Sequence, residues 1–61
     1  MKNNIKQLRQ EKNISVEEIA YKLNVTSQTV YNWEMGRNKP NKATLVLLSV
    51  ILDVNEEDIF L

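Results

Sequence analysis

Only four residues, Leu23-Asn24-Val25-Thr26, separate two runs of helical periodicity. Up to and including the first of them, Val16, Ile19, Ala20 and Leu23 recur at the three- and four-residue spacing that gathers apolar groups on one helix face. After them Val30 and Trp33 do the same. A connection this short excludes a hairpin of two long antiparallel helices and fits a sharp helix-turn-helix corner. Such a corner makes three demands. A small residue must stand where the helices approach, and Ala20 supplies it. The turn needs a residue that tolerates positive φ, which Asn24 does better than most residues with a Cβ. Apolar residues must fasten the second helix, and Val25, Val30 and Trp33 are placed to do so.

The rest of the chain reads as helix on both sides of that corner. Ile5, Leu8 and Lys12 share a face with Arg9, which predicts a first helix over 4–12 ended by Asn13. Ser15 with Glu18 makes a capping box for the second helix, and Asn24 stops it. Thr26 is a good N-cap for a third helix over 27–35, with Gly36 as its stop. Pro40 and Asn41 precede a fourth helix over 42–52, which Asp53 ends. Asn55 opens a last turn over 56–60, where Glu56, Glu57 and Asp58 suit a helix N-terminus. No stretch alternates as a strand does. The expectation is one all-α domain of five short helices over residues 1–61.

Composition narrows the chemistry. Sixty-one residues bury only about 60% of their unfolded surface, so the core must be economical. There is no cysteine and no histidine, which removes disulfides, the commonest metal ligands and the commonest general base. Eight carboxylates without a glycine-rich loop read as caps and solvated faces, so no catalysis, cofactor or metal is expected. No segment approaches the ~20 apolar residues of a membrane span, and the polar N-terminus lacks a signal peptide's apolar centre. A cytoplasmic protein is the default. The formal net charge is zero. It is unevenly spread, since every Lys and Arg lies in residues 1–42 and residues 43–61 carry only acids. A dipole of this kind turns one end toward an anionic partner.

With Val30 and Trp33 inward, a wheel of 100° per residue turns Gln28, Tyr31, Asn32 and Met35 outward, with Ser27 exposed on the first turn. Gln and Asn can pair bidentately with adenine in the major groove, and Ser can donate to or accept from several bases. Tyr31 is long enough to reach a phosphate or a thymine methyl. Arg37, Lys39 and Lys42 follow without an intervening acid, with Asn38 among them. Groups like these clamp phosphate oxygens and set register without reading sequence. On an arbitrary helix such residues would be ordinary solvated surface; on the second helix of this corner they form a readout face.

The segments "IKQLRQEKNIS", "EEIAYKLNVTSQTVYNWEMGRNKP" and "LDVNEEDIF" together resemble the Cro/cI-like (XRE-type) helix-turn-helix DNA-binding domains of bacteria and their phages. The resemblance covers nearly the whole chain. It implies the compact five-helix lambda-repressor-like fold, and a transcriptional regulator, most simply a repressor, that binds a palindromic operator in double-stranded DNA as a homodimer. It implies that the third helix enters the major groove with Ser27, Gln28 and Asn32 facing bases. Thr26, Tyr31, Arg37, Asn38, Lys39 and Lys42 then serve the backbone or assist. It also implies an internal ion pair between Arg9 and Glu34. Three positions depart from the family's habit. Val16 stands where a phosphate-binding Gln is frequent, Asn24 where Gly is common, and Ser27 where Arg or Gln is often found. The short Ser27 shifts the expected discrimination onto Gln28 and Asn32.

The fourth helix, "ATLVLLSVILDV", is apolar almost all round. Leu45, Leu48, Ser49 and Leu52 make an inward stripe, while Leu47 and Val50 lie nearly opposite. In so short a monomer nothing remains to cover that second side, which marks it as an interface. Leu47, Val50, Ile51, Phe60 and Leu61 are the expected dimer contacts. A competing reading makes the chain a protein-binding module, such as an antitoxin or scaffold, that uses the same helix on another protein. With no effector domain in view, control would come from concentration, a regulatory protein partner or degradation.

Overall fold

The computed structural model describes residues 3–60. These form five helices in chain order: α1 (Ile5–Glu11), α2 (Val16–Leu23), α3 (Ser27–Glu34), α4 (Lys42–Leu52) and α5 (Glu56–Ile59). Among the described residues there is no strand. The α1, α3 and α5 spans close a residue or so inside the ranges expected from the sequence, as fraying helix ends do.

Every helix sends apolar residues to one core. Ile5 comes from α1, Val16, Ile19 and Ala20 from α2, Val30 and Trp33 from α3, Leu48 and Leu52 from α4, and Ile59 from α5. Each fully buried Ile, Leu or Val contributes about 1.5–3 kcal/mol relative to exposure. Helices this short are marginal alone, so this shared burial rather than propensity holds them in shape. Leu8, Ile14, Leu23, Val25, Leu45, Ile51, Val54 and Phe60 pack around that centre, partly buried.

The starts of the helices are set by side chains. Ser15, Thr26 and Asn41 accept from the backbone N–H of Glu18, Thr29 and Thr44. Two expectations are revised here. Glu18 completes no capping box, because its carboxylate pairs with Lys22 one turn on, at 3.3 Å. Asn55 stands at the N-cap of α5 without a side-chain hydrogen bond, leaving that turn to its acids and to Ile59.

One device ends four helices. Asn13, Asn24 and Asp53 take φ of 57°, and Gly36 takes 75°. At each, the N–H of the left-handed residue donates to the carbonyl three back, and the next N–H donates to the carbonyl five back. The pairs for the second bond are Ile14 with Arg9, Val25 with Ala20, Arg37 with Asn32, and Val54 with Ser49. This is the Schellman closure, which satisfies carbonyls a helix end would leave bare and usually folds an apolar residue back on the helix. Ile14, Val25 and Val54 do so, packing against the core. Arg37, after α3, is the polar exception.

The N-terminal residues add ties that sequence periodicity does not reveal. Asn3 accepts from Ile5 N–H at 3.1 Å and donates through Nδ2 to the Trp33 carbonyl at 2.7 Å. Asn4 donates from its backbone N–H to Ile59 O and from Nδ2 to Asp58 O. The start of α1 is thereby fastened to the ends of both α3 and α5.

Candidate nucleic-acid interface

Helix α3 stands against the core by Val30, fully buried, and Trp33, nearly so. Its opposite side carries Gln28 and Tyr31, both exposed, and Asn32, which is half-buried. Met35, just past the helix end, is also exposed. Ser27 is a correction: it is half-buried rather than exposed, in keeping with a turn that holds the first turn of α3 close to α2. Thr26 is occupied at the N-cap, with its hydroxyl within 2.9 Å of Thr29 Oγ1.

The outward face is internally bonded. Gln28 Nε2 donates to Asn32 Oδ1 at 3.1 Å, and Arg37 donates to the same oxygen at 3.2 Å. Gln28 and Asn32 lie one turn apart, so the helix itself brings them together. Arg37 arrives through the closure at Gly36, whose left-handed backbone turns the chain back over the last turn of α3.

The remaining basic residues are spread among other partners. Lys42 at the start of α4 pairs with Glu56 of α5, and the Lys39 ammonium lies 5.8 Å from the centre of the Phe60 ring. Asn38 is exposed. Arg37 and Asn32 therefore share a hydrogen bond, while Lys39 and Lys42 are drawn toward the C-terminal helix. An exposed pair such as Lys42–Glu56 holds only about 0–1 kcal/mol, so it yields readily to a phosphate.

Behind the face, Arg9 of α1 meets Glu34 of α3. Arg9 Nε lies 2.7 Å from Glu34 Oε2, and a second guanidinium nitrogen lies 3.4 Å from Oε1. The third nitrogen donates to the Ile14 carbonyl at 3.2 Å. The side chains are 13% and 5% exposed, so the pair is sheltered and multiply bonded. It holds α3 at its C-terminal end, as Asn3 does through the Trp33 carbonyl.

A family model described as Helix-turn-helix matches residues 5–59. The chain belongs to the XRE-type, Cro/cI-like helix-turn-helix family. It is accordingly a DNA-binding helix-turn-helix regulator, in a family whose domains serve DNA binding. A comparison with curated proteins finds no match. In this regulator α2 and α3 are the helix-turn-helix pair, and α3 is its second helix.

The α4 residues divide between core and surface. Leu47 is 54% exposed and Val50 72%, with Val46 beside them also exposed. Ile51 and Phe60 instead pack against the chain's own core. Both lie on the turns that seat α4 and α5 on that core, so only their outer edges remain for a partner. Leu61 lies outside the described residues. Among the described residues no helix is long and apolar enough to cross a membrane.

Proposed function

We propose that this regulator is a sequence-specific repressor that binds a palindromic operator as a homodimer, with α3 in the major groove. The observation that carries the reading is the face of α3: Gln28 and Asn32 point away from a core gripped by Val30 and Trp33, on the second helix of the motif. Ser27 contributes from the first turn. Thr26, Tyr31, Arg37, Asn38, Lys39 and Lys42 border this face and supply backbone or auxiliary contacts. Their charge and donors position the domain on phosphates. The 61 residues act as one DNA-binding domain in the cytoplasm.

Two arguments support the dimer. The Cα extents of 24 × 23 × 20 Å are too small for one copy to engage half-sites one DNA turn, about 34 Å, apart. The second is the exposed apolar side of α4, centred on Leu47 and Val50, which a second copy would cover. Occlusion of a promoter needs nothing beyond such a dimer, which favours repression.

A second reading places another protein on α4, in the manner of an antitoxin or scaffold. It is favoured by the shallow depression beside Val50, lined by Ser49, Asp53, Val54, Asn55 and Asp58, which adds acidic groups to the apolar face. Selection from a random duplex library at moderate salt separates the two. The repressor reading predicts enrichment of a two-fold symmetric site. Failure to enrich any sequence from a folded sample would leave the protein-binding reading in its place.

A further inference from the structure

The donor chemistry around Asn32 fixes what that residue can read. A guanidinium only donates, so the Asn32 amide atom facing Arg37 must be its oxygen. The Gln28 amide atom facing that same oxygen must in turn be its nitrogen. Arg37 thus sets the orientation of both amides. Asn32 Oδ1 has its two lone pairs occupied, which leaves Asn32 only its Nδ2 donors for a further partner. Gln28 keeps its Oε1 acceptor and one Nε2 hydrogen. Arg37 keeps all but one of its five N–H donors.

Adenine offers the major groove one acceptor and one donor, whereas guanine offers two acceptors, O6 and N7. Asn32 with a filled oxygen cannot accept from adenine's amino group. The Asn32–Arg37 unit is donor-only and matches guanine. Gln28 still carries the acceptor and donor that adenine requires. The helix ending reinforces this assignment: where the other three Schellman closures fold Ile14, Val25 and Val54 onto the core, this one folds an arginine onto the reading face.

We propose that Arg37 is a specificity-determining residue, not solely a phosphate clamp. It locks Asn32 as a donor, so that the pair selects a guanine while Gln28 selects an adenine in the same half-site. The proposal rests on the major-groove reading of α3. It revises the expectation, drawn from side-chain type alone, that Asn32 pairs with adenine.

The test is selection from a random duplex library at one fixed salt concentration, using the full chain, Arg37→Ala and Arg37→Lys. Circular dichroism melts check that each protein is folded; Arg37 is exposed and its substitution should leave the melt unchanged. The wild type should prefer guanine at one half-site position by about 5- to 150-fold, the worth of a good bidentate contact. Arg37→Lys retains the charge but not the planar fork. It should keep most of its affinity for random DNA, and both variants should lower that guanine preference. Arg37→Ala removes the donor that holds the Asn32 oxygen and so admits adenine there, while Arg37→Lys keeps one donor for that oxygen but loses the further N–H groups turned to guanine. A uniform loss on all sequences, with base preference unchanged in both variants, would overturn the role of Arg37 and leave the DNA-binding reading intact. A wild-type site with no guanine would also overturn it. A folded wild type that enriches nothing would overturn both.

Discussion

Arg9 and Glu34, on α1 and α3, form a sheltered two-point ion pair with a shortest contact of 2.7 Å. The third side of the guanidinium reaches the Ile14 carbonyl, so α1, the turn after it and α3 meet on one side chain. Removing one partner leaves a charge stranded in a low-dielectric setting, at a cost of about 3–5 kcal/mol. Arg9→Ala should therefore lose that much stability in urea denaturation. The paired replacement Arg9→Met with Glu34→Leu should recover most of it, because neither charge is then left alone. Equal losses in the single and double variants would mean that packing, not the charge pair, holds this corner.

Gly36 governs both folding and placement. At φ 75° a side chain with Cβ is strained, so Gly36→Ala should cost about 1–2 kcal/mol in thermal or denaturant unfolding. The same change moves Arg37 relative to Asn32. Discrimination between selected and random DNA should fall even at temperatures where the variant is fully folded. Intact discrimination in a folded Gly36→Ala protein would separate the turn from the reading face.

Gln28 and Lys39 should behave differently on DNA. Gln28→Ala is expected to lose about 1–3 kcal/mol on the selected site and to relax base preference at one position. Lys39→Ala should weaken selected and random DNA alike and reduce the salt slope by about one. Fluorescence anisotropy over a range of salt concentrations measures both. Equal losses on the two DNAs for Gln28→Ala would remove it from readout.

The exposed side of α4 makes its own prediction. Sedimentation at micromolar concentration should show a dimer for the wild type and a monomer for Leu47→Lys, since a lysine ammonium is poorly accommodated in a packed apolar interface. Ile51 and Phe60 are inferior probes, as both serve the chain's own core and their loss would confuse folding with association. Wild-type self-association by Leu47→Lys would exclude this face.

Local features of this fold were readable because each is decided within a few residues. Ser15 and Thr26 cap helices, and Asn13, Asn24, Gly36 and Asp53 stop them, all by interactions spanning one turn. Val30 and Trp33 follow from periodicity alone. The features that escaped depend on distant partners. Asn3 meets the Trp33 carbonyl thirty positions on, and Asn4 meets Asp58 fifty-four positions on. Nothing in the spacing of an N-terminal Asn pair announces either contact. Lys42 looked like a free cation because Glu56, its partner, belongs to another helix. The capping box failed for a local reason, since Lys22 competes for the Glu18 carboxylate. At the candidate site the outward residue types were legible. The bonding that commits the Asn32 oxygen was not, because it needs the chain reversal at Gly36 to bring Arg37 back.

We propose α3 as the surface that meets DNA. Titration of the ¹⁵N-labelled protein with its selected duplex, followed by NMR, tests this directly. Backbone shifts should concentrate between Thr26 and Asn38, accompanied by the side-chain amides of Gln28 and Asn32, while residues 46–50 remain unchanged once the dimer is formed. Shifts confined to α4 and α5, with the Gln28 and Asn32 amides unmoved at saturating DNA, would contradict the account.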